Sequence, residues 1–132
     1  AILSIGAVKG FEIGDGFSVA TSTGLTNNDA FVMDGNTIKK ATNHSGGTLG
    51  GMSDGSPLVF RAAVKPTPSI AATQHTVNKS GEDIEITIKG RHDPIIVPRA
   101  VVVVETMAAI TILDALLSNM TARLDRIINF YK

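Results

Sequence analysis

The stretch Gly46-Gly47-Thr48-Leu49-Gly50-Gly51-Met52-Ser53-Asp54-Gly55-Ser56-Pro57 constrains this chain more than any other. It holds five of the chain's 13 glycines. Glycine at that density costs backbone entropy and gives no side-chain packing, so it marks sharp turns or places where something must approach the backbone closely. A strand-like run follows from Pro57 to Lys65. It ends in Lys65-Pro66-Thr67-Pro68-Ser69, where two prolines stiffen a loop that carries a cation and two hydroxyls. Backbone N–H groups, hydroxyl donors and an ammonium together suit a phosphorylated ligand. Spacing alone leaves a ligand loop and a purely structural loop equally open.

Two familiar glycine motifs are excluded. Gly51-Met52-Ser53-Asp54-Gly55 has the letters of a nucleophile elbow, but that device needs a strand before and a helix after. Here glycines precede, and Pro57 and a strand follow. No Lys-Ser or Lys-Thr pair follows the glycines, so the stretch is not a Walker A loop.

Around this stretch the chain reads as α+β. Val8–Ile13 alternates as a strand and is broken at Gly14-Asp15-Gly16. Phe17–Thr21 predicts one or two helical turns with Asp15 near the cap. Phe31–Met33 and Thr37–Lys40 flank Asp34-Gly35-Asn36, a strong hairpin signal. A second hairpin is expected around Lys79-Ser80-Gly81, with Ile84, Ile86 and Ile88 on one face of its second strand. Pro98 to Asn119 predicts the main helix, with Val103, Met107, Ile110, Leu113 (or Asp114) and Leu117 at helical spacing on the face to be buried. Thr121 to Tyr131 predicts a shorter one. Ala1–Ile5 is apolar and lacks an initiator Met, which suggests a chain cut within a larger fold.

Composition narrows the function classes. Twelve basic and twelve acidic residues cancel, so no net field recruits nucleic acid or an anionic membrane. The longest apolar run, Ala100 to Val104, is too short to span a bilayer. There is no cysteine, and no pair of histidines has metal-ligand spacing, so no metal site is expected. A cytoplasmic location is the default expectation. Arg91-His92-Asp93 could bind a phosphate and move a proton. Spacing alone favours a salt-bridged corner, with Asp93 near a helix N-terminus. His44 is similarly open, and His75 is expected to face solvent.

Four segments, in order, closely resemble the C-terminal third of the chorismate synthase family. They are Ser4 to Phe17, Asn43 to Gly51, Lys65 to Ile70, and Gly90 to Pro94 leading into Pro98-Arg99-Ala100. The resemblance implies that residues 1–132 are the C-terminal part of a single larger domain, in which antiparallel sheets sandwich helices and the full-length protein assembles as a homotetramer. It implies an enzyme that uses reduced FMN to convert 5-enolpyruvylshikimate 3-phosphate to chorismate and phosphate by anti-1,4-elimination.

Residue by residue, the resemblance assigns flavin contacts to Gly6 and Ala7, to Gly50, and to the loop Lys65, Pro66, Thr67, Pro68 and Ser69. Many members carry Asn where this chain has Gly6. Arg91 matches a residue at the flavin and substrate phosphate. Asp93 matches a carboxylate that helps handle the proton at flavin N5. The family's catalytic histidines lie upstream of these residues, which implies that this stretch alone turns over no substrate. Two alternatives from other classes are a non-catalytic flavin- or phosphate-binding module and an oligomerisation segment built on Val101–Leu117 and Thr121–Tyr131.

Overall fold

A computed structural model describes residues 1–91 and 93–132; His92, which belongs to one of the sequence motifs above, lies outside the described residues. The chain divides into two compact units. One is Val8–Ala63; the other combines Ala1–Ala7 with Val64–Lys132. Strands among the described residues form four two-stranded sheets, and two α-helices follow them. Small antiparallel sheets plus helices are what an α+β reading requires.

In the Val8–Ala63 unit, β1 (Val8–Ile13) pairs with β6 (Phe60–Val64). The pairing is antiparallel. Gly10 lies against Ala63, and further along Gly14 N–H donates to Val59 O at 2.8 Å. Phe11 and Phe60 bring their rings to 5.5 Å across the pair. The expected hairpin forms as β2 (Phe31–Asp34) and β3 (Thr37–Lys40), with Asp34 opposite Thr37. Its turn is Gly35-Asn36, with positive φ at Gly35 only. That pattern belongs to a type II′ turn, where glycine takes the first central position.

The glycine stretch resolves into a third, very short hairpin. β4 (Thr48–Leu49) pairs with β5 (Met52–Ser53) around Gly50-Gly51, both at positive φ, as a type I′ turn demands. Ser53 therefore sits in a strand, not on an elbow before a helix. The 3-10 helix Gly16–Thr21 forms where helical turns are expected, but Asp15 does not cap it through its side chain. Glu12 does this instead, accepting from Phe17 N–H at 3.0 Å, while the Asp15 carboxylate is held by His44 and Asn27.

In the other unit, β7 (Thr73–Val77) pairs with β8 (Asp83–Thr87), in the register Gln74–Ile86 and Thr76–Ile84. Asn78 closes the loop by accepting from Ser80 and Glu82 N–H. A 3-10 turn at Ile2–Ser4 lies near α1, and Ile2 is among the few buried apolar side chains. α1 covers Val97–Met120, one residue beyond the expected span at each end, with Pro98 in its first turn. α2 covers Leu124–Phe130.

Two expectations about α1 need correction. Its predicted inward face is not buried in this chain: Val103, Ile110, Leu113 and Leu117 are each about half exposed. The uninterrupted run Ala100–Val104 also understates the apolar length of the helix. As a helix, Val97–Met120 is long and apolar enough to cross a membrane by length and composition. Thr106 and Thr111 donate their hydroxyls back to the carbonyls of Val102 and Met107, so they interrupt the sequence but not the apolar surface.

The glycines of the central stretch do two different jobs. A Cβ on Gly46 would lie 2.4 Å from Gly14 N and 2.7 Å from Val59 O; one on Gly47 would lie 2.5 Å from Pro57 O. Both glycines are buried and at positive φ. A Cβ on Gly50 or Gly51 would meet nothing within 4 Å. We expect Gly46→Ala to destabilise the fold by more than about 2 kcal/mol, because it adds a backbone clash to a strained φ. Gly51→Ala should cost only the left-handed backbone term, about 1–2 kcal/mol. Urea unfolding of the two variants measures the difference.

Candidate functional site

Polar residues buried most deeply in the Val8–Ala63 unit gather around one ammonium. Lys40 stands at the end of β3, where the strand turns its side chain inward; that side chain is 3% exposed. Its Nζ donates to Asp54 Oδ2 at 2.8 Å, Ser45 Oγ at 2.7 Å, Asn43 Oδ1 at 3.2 Å and Asp29 Oδ2 at 3.2 Å. Asp29 comes from the loop before β2 and is also buried. Its Oδ1 accepts from Thr42 Oγ1 and His44 N–H, and its Oδ2 from Ser45 N–H. Asn43 Oδ1 accepts from Gly47 N–H, and Asn43 Nδ2 donates to Pro57 O. Asp54 Oδ1 accepts from Ser56 N–H.

Two carboxylates and one ammonium leave one net negative charge in the network, and backbone N–H donors of His44, Ser45 and Ser56 stabilise it. Burial pushes the Asp29 carboxyl up, but hydrogen bonds from Ser45, Thr42 and His44 outweigh that and hold it far below the ordinary carboxylate range. Asp54 is lowered, chiefly by its bond from Lys40 and then by the Ser56 N–H. Burial pulls Lys40 down, yet its bonds and attraction to Asp54 and Asp29 leave it raised. His44 joins from the side. Its Nδ1–H donates to Asp15 Oδ2 at 2.6 Å, and Asn27 Nδ2 donates to the same oxygen.

Only part of this was readable beforehand. The Asn43–Ser45 segment stands out in the sequence, but Asp29 and Lys40 do not. The available signal was a lone Asp in a polar loop and a Lys closing an otherwise alternating strand, neither of which specifies a partner.

The flavin-contact candidates divide between the two units. Gly50 lies at the exposed tip of the β4–β5 turn, in the Val8–Ala63 unit. Gly6, Ala7, Lys65 to Ser69, Arg91 and Asp93 belong to the other. Within that unit, Lys65 N–H donates to Ala7 O at 2.7 Å, so Ala7 and the proline loop are neighbours. Ala7 is the one non-glycine at positive φ (69°) among the described residues. The loop's far end is tied by Gln74 Nε2, which donates to Pro68 O. Between these ties, the Thr67 hydroxyl is buried and has no hydrogen-bond partner among the described residues.

Arg91 is exposed, and Asp93 pairs with Arg99 of the first turn of α1 at 2.5 Å. That is the salt-bridged corner. His75 is exposed beside Glu85, as expected. Among the described residues no group of three or more carboxylate and imidazole side chains is placed to hold a metal ion.

The buried network sets a pH profile. Asp29 and Asp54 titrate below their ordinary value of 3.8, so at acid pH the unfolded chain binds more protons and stability falls as pH drops. Lys40 titrates above 10.5, so its contribution is complete below that value and is lost as pH rises past it. We expect a stability plateau between roughly pH 5 and pH 10. Asp29→Asn should lower the plateau and flatten its acid limb in denaturant unfolding measured across pH.

The comparisons with known proteins agree with one another. The family model described as chorismate synthase matches residues 1–117. Chorismate synthase of Agathobacter rectalis is 82% identical over 132 residues, covering all of this chain and 36% of the relative. That of Archaeoglobus fulgidus is 53% identical over 118 residues, covering 89% of this chain and 33% of the relative. A crystal structure of chorismate synthase matches at 41% identity and a TM-score of 0.47, over 49% of this chain and 20% of that one. The chain thus spans about a third of the length of the curated relatives it matches. With a family match through 117 of its 132 residues, the chain belongs to the chorismate synthase family.

Proposed function

We propose that this chain is the C-terminal part of a single larger chorismate synthase domain, a sandwich of antiparallel sheets around helices, and that it supplies one wall of a reduced-FMN site. The complete enzyme then converts 5-enolpyruvylshikimate 3-phosphate to chorismate and phosphate by anti-1,4-elimination, in the cytoplasm and as a homotetramer. The family match carries the identity. The buried, partnerless Thr67 hydroxyl carries the cofactor reading.

The residues present fit such a cofactor. An orphaned hydroxyl in a protein interior costs free energy unless a ligand completes it. Thr67 lies in a loop stiffened by Pro66 and Pro68 and fastened at both ends, so its hydroxyl is presented without further ordering. Lys65 is exposed beside it and supplies a mobile positive charge. The open Gly50-Gly51 turn leaves backbone N–H groups free of side-chain obstruction, suitable for a carbonyl or phosphate oxygen. When bound, the reduced flavin supplies electron density to the substrate and recovers it.

Loss of phosphate needs cationic stabilisation of the leaving group. Arg91 can provide it through two parallel N–H bonds. Asp93 serves as the proton-handling carboxylate, and Arg99 keeps it oriented. α1 is read here as a helix packed inside the larger protein, since the family match runs through most of it.

Removing the orphaned hydroxyl separates this reading from a structural one. In the complete enzyme, Thr67→Val should leave ligand-free stability unchanged or raise it by about 1 kcal/mol. It should also weaken FMN binding, measured by flavin fluorescence. A variant that loses stability without losing FMN affinity overturns the cofactor reading of the loop. Arg91→Ala should lower turnover by roughly 10²–10³-fold in an anaerobic assay with reduced FMN. Altered assembly with full activity per folded site would instead favour a structural role.

A further inference from the structure

The β4–β5 hairpin has two residues per strand and is open on all sides at its tip. An isolated two-stranded hairpin is marginal in water, so the direction in which Gly50 and Gly51 point is set at its root. Lys40 holds both sides of that root. On the entry side its ammonium bonds Asn43 Oδ1 and Ser45 Oγ; on the exit side it bonds Asp54 Oδ2. Asp54 N–H adds a backbone bond to Gly47 O at 3.1 Å. Asp29 anchors the ammonium from behind and fixes the backbone of His44 and Ser45.

We propose that Lys40 is a positioning residue: bridging Asp29 and Asp54, it clamps the base of the β4–β5 hairpin and so aims the Gly50-Gly51 amides at the flavin. This rests on the cofactor reading above. The geometry favours aiming over simple cohesion. The clamp closes the two ends of one eight-residue loop, and Gly46 and Gly47 already fasten the loop's entry to Gly14, Val59 and Pro57 through close backbone approach. Backbone bonds from Asp54 N–H to Gly47 O and from Val59 N–H to Gly46 O also join entry to exit. What the Lys40–Asp54 bond adds is a fixed direction for the tip. A site left about 1 Å loose loses a large part of its function even when every residue is present.

The test uses the complete enzyme, with FMN affinity by fluorescence and backbone hydrogen exchange as readouts. Lys40→Met should speed exchange across residues 47–55, leave the β7–β8 hairpin at residues 73–87 unchanged, and weaken FMN binding about tenfold or more, as losses of supporting residues behind a ligand commonly do. Asp54→Ala cuts only the exit side and leaves the Asp29–Lys40 pair, so it decides the matter if Lys40→Met does not fold. Asp54→Asn keeps an oxygen for the ammonium and should restore near-normal FMN affinity. Faster exchange with FMN affinity unchanged in Asp54→Ala overturns the proposal while leaving the cofactor reading intact. Failure of the unsubstituted enzyme to bind FMN overturns both.

Discussion

The Val8–Ala63 unit depends on one buried ammonium. Burying an ion is costly, and mutual attraction of opposite charges offsets that cost only when every remaining donor and acceptor is satisfied. Lys40 meets this condition with four oxygen acceptors, and Asp29 with backbone N–H groups from the very segment that Lys40 also binds. The loop and the ion pair therefore specify each other. The loop cannot take another path without exposing a buried charge, and the charge is tolerated because the loop's amides face it. Apolar burial could not do this job here. Within this unit Val8 is the one large apolar side chain that is buried among the described residues.

This arrangement also explains the glycine content. Charge fixes where the Asn43–Gly47 segment goes, and small size lets it arrive. Gly14 and Gly46 meet at backbone distance, and Gly47 passes under Pro57. Three residues later the same amino acid serves an opposite purpose, turning the chain in open space. A run of glycines that looks uniform is half close-packed backbone and half exposed turn.

Legibility in the sequence followed the range of the interaction. Turns were readable because a turn is written in adjacent residues: Asp34-Gly35-Asn36 and Lys79-Ser80-Gly81 both close hairpins. The α1 boundaries were readable to one residue because Pro98 and an unbroken apolar pattern are local signals. The surroundings of Ser53 were readable for the same reason: glycines before it and Pro57 after it are local, and Ser53 lies in a strand with no helix following. Asp29, Lys40 and Asp54 were not readable. They are 11 and 14 residues apart and lie on a loop, a strand end and a turn, with nothing in their spacing to pair them. The Thr67 hydroxyl was noticed as a donor, but its lack of a partner is a property of packing. Burial of α1 was expected from periodicity, which reports a helix but not what covers it.

α1 itself constrains what can surround it. Its Glu105 and Asp114 are nine residues apart and so, at 100° per residue, lie on opposite sides of the helix. Its two threonine hydroxyls are turned back onto the backbone. No polar stripe remains to face water, so the helix is apolar nearly all round. A helix of that kind is stable only when surrounded, by lipid or by protein. Two acidic side chains near its middle would be expensive in hydrocarbon. In a protein interior neighbouring chain can supply the hydrogen bonds that each buried carboxylate needs. That difference favours protein over lipid as what covers α1.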